Sequence, residues 1–425
     1  MSSIDSSGGN TLRLLIVTPY LPHSRVGHGG GTSVRALVTQ MAKRHEVTLF
    51  SLVRPGESGL ISEVESELNI NIIPYYFADI RSKWTKWPRL ISDRAFSLLK
   101  SFFSGYPYYA EKYSSKHIDK KLLDAVKAVK PDAIHVEYLQ MSLLLRTLIK
   151  AESCLKPNIP GLFIGTHELG SLPRQRKLQK TRNPFKSLAL RHQEAAWRML
   201  QVDVTDWADC TFCVTDQDRD LLTEDGGKNC RTIPLGIDTD LIQTVWESSD
   251  SKNLLFIGSF EHPPNRTCAK FLIDKIWPNV AQYNNESKLI LAGRGSQQFL
   301  KSCNSVPASV NALGFVENLA KLYNKSQLFI APLLDGGGIK IKILEAMAYG
   351  IPIVTTPIGA EGIVDQSDDA LFISSPDGSF ADSVLQALND PEEAARRAIK
   401  ARKVIEQRFG WSAIADELTK LYETM

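Results

Sequence analysis

"QLFIAPLLDGGGIKIKILEAMAYGIPIVTTP", residues 327–357, holds the signals that decide the fold. An apolar run, "QLFIAPL", leads to three glycines; a helix-forming stretch, "IKILEAMA", follows, and then a second apolar run, "IPIVTTP". Strand, helix, strand is the crossover unit of a parallel sheet. The glycine loop therefore lies where a strand ends and a helix begins, and the free amides and dipole of a helix N-terminus favour an anion there. Lys342 and Glu345 are three residues apart and share a helix face, whereas Lys340 is expected in the first turn. That face offers a cation for phosphate and a carboxylate that can accept from two neighbouring hydroxyls, such as those of a ribose. A nucleoside diphosphate matches the pair; a solvated Lys-Glu pair on an ordinary surface helix is the alternative.

The same alternation runs through the chain. Seven apolar runs rich in β-branched residues between "RLLIVTPY" and "CRTIPLG", and six between "NLLFIGSF" and "ALFISS", are each followed by an amphipathic stretch. Near-continuous apolar strands with helices between them predict parallel sheets covered on both faces, an α/β class with two doubly wound domains. The polar stretch "IDTDLIQTVWESSDSKN" is the linker candidate, so the domains are expected at 12–244 and 245–405, after a disordered polar tail at 1–11. Two helices by pattern, "PEEAARRAIKARKVIEQRF" and "WSAIADELTKLYETM", close the sequence. Ligands of such sheets bind beyond the C-terminal strand ends, so two facing domains would share an interdomain cleft.

Composition excludes several classes. The 425 residues are 43% apolar and 23% charged, as in a soluble globular protein. No apolar run reaches the roughly 18 residues of a membrane span and "MSSIDSSGGN" has no hydrophobic signal region, which predicts a cytoplasmic protein. The six cysteines lack disulfide or zinc spacing and are expected to be reduced; Cys210 and Cys213 fall on opposite faces of a strand as core residues. "DQD" at 216–218 and "DTD" at 238–240 read as a helix cap and a turn, and no metal site is expected.

A second anion-ready turn follows the first strand, where Gly29, Gly30 and Gly31 precede Thr32, the expected helix cap. Neither G-x-G-x-x-G nor G-x-x-x-x-G-K-[ST] is present, so dinucleotide and P-loop readings are weak.

"PLLDGGGIKIKILEAMAYGIPIVTTPIGAEGI" resembles the donor-site signature of the retaining glycosyltransferases of family 4 and their relatives. Further matches follow in order: "PHSRVGHGGGTSVRALVTQMAKRHEVTLFSL", "PDAIHVEYLQM", "GTHELGS", "IPLGIDTDLI", "LLFIGSFEHPPNRTCAKFLIDKIWPNV", "GFVENLAKLYNKSQLFIAPL" and "RFGWSAIADELTKLY". The resemblance implies a GT-B fold of two facing Rossmann-like domains, with a terminal segment, 406–425, packing back towards the N-terminal domain. It implies that Glu345 holds the donor ribose, that Lys342 meets the diphosphate, and that His167 lies near the reacting sugar. Gly336, Gly337, Gly338 and Ile339 would approach the donor sugar, and Gly29 to Gly31 the diphosphate. In two places the sequence departs from the family. Gly337 stands where a sugar-contacting glutamate is common, with Asp335 as a substitute, and Ser259 stands where a phosphate-binding arginine is common, with Arg266 or Lys340 to supply the charge. A branch with G-x-G-x-K-x-K before "LEAMA" is similar to this chain.

The implied function is metal-independent transfer of a sugar, with retention, from a nucleoside diphosphate sugar to a glycan, lipid-linked or other hydroxyl acceptor, with no cofactor. Alternatives are a nucleotide-sugar epimerase or phosphorylase of the same fold, or a non-catalytic nucleotide-sugar-binding protein. Positive charge collects at 174–198, with Arg174, Arg176 and Lys177, and at 81–100, with Trp84 and Trp87. These segments are expected to receive the acceptor or an anionic membrane, placing the protein peripherally on the inner face. No nucleic-acid-binding module accompanies the charge.

Overall fold

The computed structural model describes residues 11–24, 29–77, 87–151, 160–239, 242–244, 246, 252–283, 286–335, 339–365 and 367–424. All thirteen apolar runs form strands. They are β1 (Arg13–Thr18), β2 (Glu46–Val53), β3 (Asn71–Tyr76), β4 (Ala133–Glu137), β5 (Gly161–Gly165), β6 (Cys210–Cys213), β7 (Cys230–Thr232), β8 (Asn253–Ile257), β9 (Lys288–Ala292), β10 (Val310–Gly314), β11 (Leu328–Ala331), β12 (Ile353–Thr355) and β13 (Phe372–Ile373). They build a seven-stranded sheet, β3-β2-β1-β4-β5-β6-β7, and a six-stranded sheet, β10-β9-β8-β11-β12-β13. The pairings are parallel throughout, for instance Leu14 with Val47 on one side of β1 and with Ala133 on the other. Central strands such as β4 and β11 are buried along their whole length, which is why their sequences do not alternate with polar residues. This is the α/β architecture of two parallel-sheet domains that the resemblance to a GT-B fold implies.

The chain divides into two compact units, residues 1–26, 30–233 and 415–425 in one and 27–29 and 234–414 in the other. The division falls between Ile233 and Pro234, directly after β7, and the expected linker residues up to 244 belong to the second unit. Their attachment there is physical: the Arg402 guanidinium donates to the Ile242 carbonyl at 2.8 Å, and the Trp246 indole donates to the Ser326 carbonyl at 3.1 Å.

In the first unit the strand order reverses between β1 and β4, and in the second between β8 and β11. Such switch points open a crevice outside the carboxyl ends of the strands. The first unit also takes in residues 415–425, part of the Trp411–Glu423 helix. Asp416 pairs with Arg44 at 2.8 Å, Thr419 meets His45 Nε2 at 2.8 Å, and the Tyr422 ring packs edge-on to Phe163, centroids 4.8 Å apart.

Candidate functional site

The second unit's switch point carries the first constellation. β11 leads through Asp335, which is exposed, to a helix at Ile341–Tyr349. Burial of Ile343, Leu344, Ala346 and Met347 fixes that helix, and Gly350 ends it in the left-handed region at φ 77°. A Cβ at 350 would also come within 2.6 Å of Thr244. Lys340 is the N-cap residue and not part of the first turn, because its backbone is still extended (φ −92°, ψ 92°). Its ammonium lies 3.3 Å from the Glu361 carboxylate. Ile339 beside it is buried, and Gly336, Gly337 and Gly338 lie outside the described residues.

Lys342 and Glu345 share a face, as their spacing requires, but they are not fully solvated and not paired with each other. Each is half-buried, and burial acts on the charge of both. The Lys342 ammonium donates to Asn265 Oδ1 and sits 5.1 Å from the centroid of the Phe256 ring. Burial pushes its pKa down to about 8. Burial pushes the Glu345 carboxyl up to about 7, and among the described residues it makes no hydrogen bond or ion pair. Near it the Tyr323 hydroxyl is also buried without a partner, its ring stacked on Tyr349 at 4.5 Å. A half-buried carboxylate without donors can accept two hydroxyls, and a half-buried ammonium without an anion can meet a phosphate.

Ser259 contributes its carbonyl, which accepts from Asn265 Nδ2 at 2.9 Å. Arg266 turns elsewhere: its guanidinium lies 5.9 Å from the Phe299 ring centroid, in a groove lined by Lys270 and Asp274 and not by Lys342.

The first unit's switch point carries the second constellation. Glu137, the last residue of β4, is buried and stands in register with Gly165, the last residue of β5. His167 Nε2 donates to Glu137 Oε2. His135 Nε2 lies 3.1 Å from Glu137 Oε1 but out of line for a hydrogen bond, and its Nδ1 meets the Tyr422 hydroxyl. The Tyr138 ring stacks flat on His167, centroids 3.7 Å apart at 3°. Tyr138 and His167 both have positive φ, 75° and 57°, a strained conformation for non-glycine residues that concentrates at functional sites. Burial acts to raise the Glu137 pKa, but the two imidazoles and the His167 hydrogen bond outweigh it and hold it below its ordinary value. His135 is pushed below its ordinary value by burial.

His167 was legible in "GTHELGS"; Glu137, His135 and Tyr138 were missed. The available signal was "IHVEY", which places His135 and Glu137 on one face of a strand ending beside that of "GTHE".

The glycine turn after β1 differs from expectation. The helix Gly29–Ala42 already begins at Gly29, so Thr32 is inside it and caps nothing. Val34, Leu37, Val38 and Met41 are buried on that helix, and this apolar stripe sets its course. Trp84 lies outside the described residues, as does the side chain of Trp87, the first residue of the Trp87–Ser104 helix. The Ser171–Lys180 helix carries Arg174, Arg176 and Lys177. Arg174 is packed rather than free, stacked 5.0 Å from the Trp197 ring centroid and donating to the Gly170 carbonyl at 2.7 Å.

Comparison with known proteins gives two family matches. The model described as Glycosyltransferase Family 4 matches residues 27–241, and that described as Glycosyl transferases group 1 matches 251–390. A phosphatidyl-myo-inositol mannosyltransferase of Mycobacterium leprae is 24% identical over 222 residues, 50% of this chain and 59% of that protein. The chain thus spans about half of the length of the curated relatives it matches, between 45% and 59% of each. Among solved structures, Anabaena HepE in complex with UDP-glucose superposes with a TM-score of 0.63 at 14% identity, over 97% of this chain and 100% of that one. Sucrose-phosphate synthase from Thermosynechococcus elongatus superposes at 0.68 and 17%, over 97% and 98%.

Proposed function

Because this chain belongs to glycosyltransferase family 4, we propose that it moves a glycosyl group from a nucleoside diphosphate sugar to a hydroxyl acceptor. The observation that carries the proposal is the Lys342 and Glu345 pair, two half-buried and oppositely charged groups on one helix face with no partner in each other. In the proposed reaction the bond from the anomeric carbon to the diphosphate oxygen breaks and a bond to the acceptor oxygen forms. Lys342 and the first-turn amides of its helix meet the negative charge of the departing diphosphate, and Glu345 accepts from the ribose hydroxyls. No resident metal or cofactor takes part. Retention follows if the acceptor approaches from the side of the leaving group and a diphosphate oxygen takes its proton. His167, fixed by Glu137 and Tyr138, is assigned to the reacting sugar.

A glycan or lipid-linked acceptor is assigned to the first unit, and a lipid is supported by the phosphatidyl-myo-inositol named for the relatives. Peripheral attachment to the inner face of an anionic membrane is supported by exposed Phe102, Phe103, Phe185 and Leu188 together with the cations of the 171–207 region. Among the described residues no helix is long and apolar enough to cross a membrane.

The test is incubation with UDP-, GDP- and ADP-sugars and with glycan and lipid acceptors in the presence of EDTA, with products read by mass spectrometry. Sugar on an acceptor with free nucleoside diphosphate, lost in Lys342→Ala and Glu345→Ala, supports the proposal. An isomerised nucleotide sugar or a phosphate-dependent reaction would make the protein an epimerase or phosphorylase. Donor binding without turnover under every condition would make it a binding protein.

A further inference from the structure

Asn265 lies in the first turn of the Pro263–Phe271 helix, just beyond β8. It is buried and engaged at both ends of its amide: Nδ2 donates to the Ser259 carbonyl at 2.9 Å, and Oδ1 accepts from the Lys342 ammonium. The amide has one usable orientation, because a flip would set NH2 against an ammonium and oxygen against a carbonyl. Its seat depends on missing side chains. A Cβ on Gly258 would meet Asn265 Cγ at 2.8 Å, and one on Gly293 would lie 2.1 Å from the Gly258 carbonyl oxygen. Asn265 therefore fills the room a side chain at 258 would take, and the strand end cannot move away.

The environment of Lys342 is unusual in what surrounds its charge. A neutral amide oxygen and the Phe256 ring face the ammonium, and Cys268, His262 and Lys340 are its titratable neighbours. Among the described residues no carboxylate comes within ion-pair distance. An ammonium held this way has spare N–H donors for an incoming anion and no opposite charge beside it, whereas a carboxylate in the same place would neutralise it.

We infer that Asn265 is a positioning residue, which aims the Lys342 ammonium at a diphosphate without cancelling its charge. The inference rests on the reading of the 341–349 helix as the donor site.

The test is calorimetric binding of UDP and GDP, and of uridine and guanosine, to the wild type, Asn265→Ala, Asn265→Asp and Lys342→Ala, with melting curves for each variant. The wild type is expected to bind one diphosphate more tightly than its nucleoside. Both Asn265 variants should weaken the diphosphate about 10- to 100-fold, the worth of a charge-assisted hydrogen bond, and leave the nucleoside unchanged. Asn265→Asp keeps the shape of the side chain and so serves even where Asn265→Ala fails to fold. At pH 8.5, where burial leaves most of Lys342 neutral, the wild type should take up a proton on binding the diphosphate; Asn265→Asp should not, because its carboxylate already keeps the ammonium charged. Equal loss of nucleoside and diphosphate would mean a structural role and overturn the inference. So would wild-type diphosphate affinity in both Asn265 variants, and if Lys342→Ala still lost the diphosphate, the donor site would stand without Asn265. Failure of the wild type to bind any of the four compounds would overturn both.

Discussion

Glu345 is held against its own stability. Its pKa in the folded protein, about 7, lies above the ordinary 4.5, so its contribution is fully present below pH 4.5 and is lost as pH rises through 7. Glu345→Gln should therefore stabilise the empty protein at pH 8, by at most about 3 kcal/mol, leave stability at pH 4 unchanged, and abolish nucleoside binding. Chemical denaturation at the two pH values, with a nucleoside titration, checks all three. The second constellation makes a different prediction. Glu137→Gln leaves His167 with a neutral partner, and turnover should fall about 10- to 100-fold while the donor KM is retained. A change in KM alone would remove His167 from the reacting sugar. Lys342 and Glu345 were legible in the sequence because a spacing of three fixes a helix face. Asn265 was not, since its contact with Lys342 joins positions 77 residues apart and depends on two glycines on neighbouring strand ends.

Strands were the most legible elements, because residues buried on both faces of a sheet leave uninterrupted apolar runs. Helix starts were less so: the glycines at 29–31 looked like a loop, yet the apolar stripe that follows carries the helix through them. The Trp87–Ser104 helix shows what sequence pattern leaves open. Its Ser97 and Ser101 are buried, the latter donating to the Tyr106 carbonyl at 2.6 Å, while Phe102 and Phe103 are 75% and 78% exposed. A pattern identifies an amphipathic helix but not which of its faces is covered. With Phe96, Leu98 and Leu99 also exposed, this is the face on which the proposed attachment to a membrane rests. The double variant Phe102→Ser, Phe103→Ser should cosediment at least about tenfold less with anionic vesicles than the wild type, with its melting temperature unchanged. Equal binding of both proteins would sink the membrane assignment for this helix.

At the scale of the molecule, two sheets of one topology were predictable from thirteen runs in order, whereas the chain's division was not. A polar composition suggested a linker near 245, but Thr239 and Ile242 are held to Arg402 through backbone carbonyls, which any sequence possesses. The 415–425 segment belongs to the first unit through Tyr422, which is buried against Phe163 and His135. Tyr422→Ala should destabilise that unit by about 3–5 kcal/mol, seen in calorimetry as one shifted transition beside an unshifted one. If both transitions move together, the units do not melt independently. The same segment sets a timetable for synthesis. A ribosome making this chain delivers the seven strands of the first sheet, then the whole of the second unit, and only then the tyrosine that fills the first sheet's flank. The first unit thus waits, incomplete, until the second has been translated and Tyr422 can reach His135.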